Sequence, residues 1–301
     1  MINYENQEDI ELSELFTAVW NSKLIISLIT SIFAIVSIFY ALSLPNIYSS
    51  YAMLKPSDNS NSSSNILGQY AGMASLAGIS IGSSGSTDKS IEAIERIRSY
   101  EFFSKFFLPE IAYQDLVAVK DWNSSNNILI YDDEVFDTSA MKWVDGIPST
   151  QDAFKTYNDI VSLYQDKKTR FVSLSIKHHS PHIAKKWVDI LIKKINSSMR
   201  NEEKAAALKS VDFLNEQMQQ VNYQEIRQAI ASLQENQLKS LMLIESNEDY
   251  IFKILDPAIV PEKKSEPKRS LIVIIATILG FFISLIFALG SHFLSNKNNK
   301  L

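Results

Sequence analysis

The sequence contains no cysteine. That excludes disulfides, a thiolate nucleophile and any cysteine-ligated zinc site. Two catalytic signatures are missing as well: there is no G-x4-G-K-[ST] phosphate loop and no G-x-S-x-G nucleophile elbow. Basic residues do not alternate with aromatics, and the formal net charge is −5, so no nucleic acid is expected as a partner. Glycine and proline are absent from His182 to Asp256, which removes the usual helix breakers from a quarter of the chain. No cofactor is implied by any motif, and the chain reads as no enzyme.

Charge, too, is missing where it matters most. Leu24 to Leu44, "LIISLITSIFAIVSIFYALSL", holds no charged residue. As a helix it would extend ~31 Å, the thickness of a bilayer's hydrocarbon core. Ser270 to Ser291, "SLIVIIATILGFFISLIFALGS", reads the same way. The first run is a retained anchor and not a signal peptide, because the residues before it are acidic (Glu5, Glu8, Asp9, Glu11, Glu14). Two spans put both termini on one side of the membrane. The basic residues around the second span would draw the central loop to the cytoplasm, but loops longer than ~60 residues largely escape that rule, so both orientations stay open.

The expected organisation is a tail over 1–23, a membrane helix over 24–44, an extramembrane body over 45–269, a second membrane helix over 270–294 and a tail over 295–301. In the first tail, Ile10, Leu12, Leu15, Phe16 and Val19 recur at helical spacing. "IYSSYAML" after Pro45 alternates as a strand. Asn59 to Ser86 is a Ser/Gly-rich loop, and Ser86-Thr87-Asp88 offers helix caps. An amphipathic helix follows through Ile91, Ile94, Ile97 and Phe102/Phe103/Phe106, ending near Pro109. Short strands are expected at "NILIYDDEVFD" and "MKWVDGI", and a short helix over Asp152–Gln165.

"TRFVSLSIKH" predicts a half-buried strand with Val172, Leu174 and Ile176 on one face. Ser180-Pro181 then starts a helix. The breaker-free stretch would be helical over about 182–246, far beyond an ordinary helix of ~10–14 residues. Its apolar seam runs through Val211, Leu214, Met218 and Val221, then Ile230 and Leu233, with a mismatched step at "VNYQEI". Because the chain must return to the face it left, a sharp turn is predicted near Asn222–Glu225. "DYIFKILDP" would close the base as a strand.

Two clusters invite chemistry. His178, His179 and His182 resemble metal ligands, but no carboxylate follows at ligand spacing and a strand-to-helix turn splits them, so a polar turn is read. Asp132, Asp133, Glu134 and Asp137 lack the turn glycine of a calcium loop and read as a solvated turn. No metal site is assigned. More specific is "LDPAIVPEKKSEPKRS": Pro257, Pro261 and Pro267 stiffen the chain, and Lys263, Lys264, Lys268 and Arg269 form a basic collar suited to anionic headgroups.

The layout resembles the Wzz-type polysaccharide co-polymerases, the O-antigen chain-length determinants. The likeness rests on "IELSELFTAVWNSKLII", "LPNIYSSYAML", "QDKKTRFVSLSIKHHSPHIAKKWVD" and above all "YIFKILDPAIVPEKKSEPKR". It implies an α+β membrane protein with two transmembrane helices flanking a periplasmic α/β base with long projecting helices. It also implies an inner-membrane location, cytoplasmic termini, and a homo-oligomer shaped as a ring or bell, with the seam residues available to neighbouring subunits. The implied role is non-enzymatic: setting modal chain length with the O-antigen polymerase on a lipid-linked polysaccharide. Pro257, Pro261 and Pro267 match the family's proline motif and Gly280 lies in its membrane helix. The second span departs from the family in being poorer in small residues. An alternative is the exopolysaccharide or capsule co-polymerase that works with a separate tyrosine kinase; no tyrosine follows Tyr250, so the kinase and its tyrosine cluster are not in this chain.

Overall fold

The computed structural model describes residues 19–57 and 89–298, with side chains through residue 291. The expectations for the N-terminal tail before residue 19, for the Ser/Gly-rich loop and for the 86–88 caps therefore lie outside the described residues. The chain divides into two units, 1–46 with 265–301 and 47–264. The fold class is borne out: an α+β body is flanked by two helices long and apolar enough to cross a membrane.

In the first unit, α1 (Lys23–Ser43) pairs with the last helix, Arg269–Asn298. In the body, β1 (Tyr48–Pro56) leads to α2 (Lys89–Ile97). The helix predicted to run on to Pro109 breaks instead at Ser99, whose hydroxyl caps the Phe102 amide at 3.2 Å. A short turn at Tyr100–Phe102 then widens into a π-helix over Phe103–Phe107 and a 3-10 turn over Leu108–Glu110. After α3 (Tyr113–Val117) come two small hairpins, β2 (Val119–Asn123) with β3 (Ile128–Tyr131), and β4 (Phe136–Asp137) with β5 (Lys142–Trp143).

The helix predicted over Asp152–Gln165 is α4 (Thr150–Ile160) only, because its second half forms strand β6 (Val161–Gln165). β6 pairs with β7 (Val172–His178), so a neighbouring strand overrides the local helical reading. Among the described residues the main sheet has four antiparallel strands in the order β6-β7-β1-β8, where β8 is Phe252–Asp256. The register sets buried residue against buried residue. Ser50, Ala52 and Leu54 face Ile176, Leu174 and Val172, and all six are buried on one side.

That side is covered by α5 (Pro181–Gln220), whose buried residues Ala184, Trp187, Val188, Leu191, Ile195 and Met199 step by three and four. Trp187 also meets Phe107 edge-on, which joins the sheet to the aromatic cluster of Phe103, Phe107 and Tyr157. Tyr157 is fully buried and donates to the Ile97 carbonyl at 2.7 Å. Beyond Met199, α5 leaves the sheet and its buried face thins to Ala207.

Val221 to Tyr223 interrupt the helix, and α6 (Gln224–Ser246) returns alongside α5. Gln234 donates to Asn215 at 2.6 Å. Lys204 pairs with Glu245, each the same distance in sequence further from the turn. The predicted turn near Asn222–Glu225 is therefore present, and the long helical stretch is an antiparallel hairpin of ~60 Å and ~35 Å arms.

Candidate functional site: the proline segment and its anchors

The proline segment begins at β8, an edge strand that contributes only Phe252 to the core and leaves the next four residues exposed. So little burial would leave it weakly held, yet it is fixed from behind. Asn196 of α5, 4% exposed, accepts from the amides of Ile251 (2.8 Å) and Phe252 (2.9 Å) and donates to the Phe252 carbonyl (2.9 Å). One side-chain amide thus satisfies three backbone groups that would otherwise be stranded in the core. Just upstream, Tyr250 donates to Glu203, and Lys89 bonds Glu203 at 2.7 Å and the Tyr250 oxygen at 3.3 Å. Burial and the adjacent carboxylate push the Tyr250 hydroxyl pKa up, so it stays a donor.

Downstream, Pro257 is exposed, but Ala258 is buried and Ser50 donates its hydroxyl to the Ile259 carbonyl at 2.7 Å. Pro261 is half-buried, and Lys263 and Lys264 are exposed. Both ends of the segment within the body are therefore tethered, one to α5 and one to β1.

In the other unit, Pro267 is half-buried behind a cis Glu266–Pro267 bond, and Lys268 is exposed. Arg269, grouped by sequence with the lysines of the collar, does something different. Its guanidinium donates to the carbonyls of Ala41 (2.8 Å) and Leu44 (3.0 Å). These belong to the end of α1, where the helix has no amides of its own to offer. The cation also complements the negative end of the helix dipole.

Gly280 is a contact and not merely a helix residue. A Cβ there would lie 2.5 Å from Phe33 Cβ and 2.7 Å from its Cγ. Ser284 and Ala288, each four residues on, are fully buried, and Thr30 and Ser284 place their hydroxyl oxygens 3.5 Å apart. The second span is thus not short of small residues where they count: Gly280-x3-Ser284-x3-Ala288 makes the whole close-packing stripe. That spacing was legible in the sequence and was missed.

The seam is mostly covered within the chain. Val211, Leu214, Met218 and Val221 are half-buried and Ile230 is buried, whereas Leu233 remains 46% exposed. The histidines read as a polar turn are only partly that: His182 is exposed and packs on Trp122, whereas His178 is buried with its ring 6.1 Å from that of His179. His178 points inward: its Nδ1 accepts from the Ser180 amide and its Nε2 donates to the Asp115 carbonyl, both at 2.9 Å. Burial lowers its pKa to about 4, so it is neutral. Asp115 also accepts from the Tyr131 hydroxyl at 2.7 Å, and burial raises its carboxyl pKa. The acidic run is a set of turn caps, with Asp137 accepting from the amides of Ser139 and Ala140.

Comparison with known proteins finds two family matches, each over part of the chain. Residues 8–108, covering α1, β1, α2 and the aromatic turn after it, match the family described as Chain length determinant protein, Wzz. That match spans the N-terminal third of the chain. The likeness read from the sequence is thereby borne out. Residues 218–293, from the hairpin turn through the proline segment into the last helix, match the G-rich domain on putative tyrosine kinase, GNVR. No curated protein matches the chain. Among solved structures, the chain is similar to a full-length bacterial polysaccharide co-polymerase at 14% identity and TM-score 0.43, covering 96% of this chain and 99% of that one. It is also similar to a fragment of WzzB, a polysaccharide co-polymerase from Salmonella Typhimurium, at 11% identity and TM-score 0.29, covering 73% and 100%. A mutant of the Shigella flexneri lipopolysaccharide O-antigen chain-length regulator WzzBSF gives 11% identity and TM-score 0.23 over the same shares.

Proposed function

We propose that this chain is a non-enzymatic regulator of the modal length of lipopolysaccharide O-antigen. It acts as a homo-oligomeric scaffold in the bacterial inner membrane, beside the O-antigen polymerase and its lipid-linked polysaccharide. The observation that carries this reading is the Wzz domain over residues 8–108. In the proposed topology the tails 1–23 and 295–301 are cytoplasmic, helices 24–44 and 270–294 cross the membrane, and 45–269 is the periplasmic co-polymerase domain. The exposed lysines Lys263, Lys264 and Lys268 sit at headgroup level. The proline segment, tethered to α5 and β1 within the body, passes constraint along the chain toward the last helix. The exposed apolar residues of the hairpin, Leu233 among them, are available to neighbouring subunits.

A second reading has its own observation. The GNVR match over residues 218–293 favours an exopolysaccharide or capsule co-polymerase that works with a separately encoded tyrosine kinase. One experiment separates the two: lipopolysaccharide and secreted polysaccharide from cells with and without the gene, resolved by gel. Loss of a clustered band pattern in lipopolysaccharide supports the O-antigen reading. An unchanged ladder with altered capsule or exopolysaccharide supports the second. No change in either polymer overturns both. Substituting Pro257 and Pro261 by Ala should shift the length distribution while the protein stays in the membrane.

A further inference from the structure

A cleft of about 790 Å³, lined mostly by polar and charged residues together with Phe102 and Phe106, lies in the body between α2, the turn that follows it, and the middle of α5. Its size falls within the ~300–1,000 Å³ typical of small-ligand sites. The cleft exists because α2 ends and the chain turns at Ser99. The chain bends there instead of lying straight along α5, and the π-helix at Phe103–Phe107 then adds an extra residue to its turn. Such a bulge re-aims side chains and is frequent at functional sites. Here Phe103 and Phe107 go to the core, while Lys105 is exposed and Phe106 half-exposed along the cleft.

The floor is rigid. Arg96 donates from both terminal nitrogens to both oxygens of Glu202 on α5, and from Nε to Glu92 at 2.9 Å. That fork orients two part-exposed carboxylates on one guanidinium. Lys105 pairs with Glu101 at 2.6 Å on one wall, and Asn201 stands exposed on the opposite one. The lining therefore offers oriented acceptors, donors from Lys105 and Asn201, and an apolar face from Phe102 and Phe106. A ligand matching this pattern carries many hydroxyls, each both donor and acceptor, on a small apolar ring. Four carboxylates (Glu92, Glu95, Glu101, Glu202) against two cations make the cleft net acidic, which selects against phosphates and uronic acids.

We propose that this cleft binds a short stretch of glycan made of neutral or amino sugars. The proposal rests on the polysaccharide reading above and names the sugar class and the place where the chain would hold it.

The test uses the full chain in lipid nanodiscs and saturation-transfer NMR. The probe is surface polysaccharide released from the producing cells by mild acid and cut to oligosaccharides, with trigalacturonate as the charged control. The fragments should bind, and trigalacturonate should bind at least about tenfold more weakly. Asn201→Trp, which fills the mouth, and Phe106→Ala, which removes the ring face, should each weaken fragment binding about tenfold with the thermal melt unchanged. Glu101→Gln should weaken it less. The proposal is overturned if no fragment binds, if both variants bind like the parent, or if trigalacturonate binds as well. Altered polymer length on gene deletion together with no fragment binding would sink the cleft alone. Cleft-dependent binding with no polymer change on deletion would support the cleft and sink the length-control reading.

Discussion

Replacing Asn196 by Leu tests how the proline segment is held. The side chain is 4% exposed and serves three backbone groups, the amides of Ile251 and Phe252 and the carbonyl of Phe252. Leu fills a similar volume, so packing changes little and the loss is polar. Each stranded buried group costs ~1–3 kcal/mol, and with some relaxation the three should total ~3–5 kcal/mol. That is a large share of the ~5–15 kcal/mol that holds a typical domain together. The assay is urea unfolding of the full chain in detergent, read by the fluorescence of buried Trp187 on the same helix. Hydrogen exchange should show the amides of Ile251 and Phe252 losing protection before the rest of the sheet. Asn196→Asp keeps the acceptor for both amides but sets an oxygen against the Phe252 carbonyl, so it should fall between parent and Leu. A loss below about 1 kcal/mol for the Leu variant would refute the reasoning, since water or a shifted backbone must then satisfy the groups instead.

Three further expectations follow from other contacts. His178 has a folded pKa of about 4, below the ordinary 6.5, so the unfolded chain takes up the proton first as pH falls. Stability should be full above pH 6.5 and drop by ~1.4 kcal/mol per pH unit toward pH 4, ~3 kcal/mol in all. The difference between parent and His178→Gln in urea titrations should carry that slope; a flat difference would refute it. Gly280→Leu drives a side chain into Phe33 and should cost ~1–3 kcal/mol, with partial rescue by Phe33→Ala. Because the chain has no cysteine, a Thr30→Cys/Ser284→Cys pair can report it: cross-linking should be efficient in the parent background and fall with Gly280→Leu. Arg269→Ala strips two carbonyls at the end of α1 of their donor and should cost ~1–3 kcal/mol in a detergent melt. Arg269→Lys, with a single-point donor, should recover only part of it.

By itself the sequence determined what repeats locally. Uncharged runs of bilayer length announce the two membrane-spanning candidates, and the alternation Val172, Leu174, Ile176 announces β7. The want of glycine and proline after His182, with one mismatched step, announces two long helices and the turn between them. The proline segment and the closing strand before it stand out for the same reason, since proline and period-two alternation act within a few residues. Tertiary structure decided everything that depends on a distant partner. Val161–Gln165 is a strand because β7 lies beside it. Ser99 ends a helix that the apolar spacing would have carried onward, and so opens the cleft. Arg269 is one cation among four in the sequence and becomes a helix cap only when α1 ends beside it. Asn196 is one polar residue on a long helix and becomes the clamp of β8 only across some fifty residues of intervening hairpin. Periodicity reports which face of an element is apolar; it does not report which backbone groups will be left without water once that face is covered. Those groups are what Asn196, Arg269 and Ser50 satisfy, and only the packed chain shows where they are.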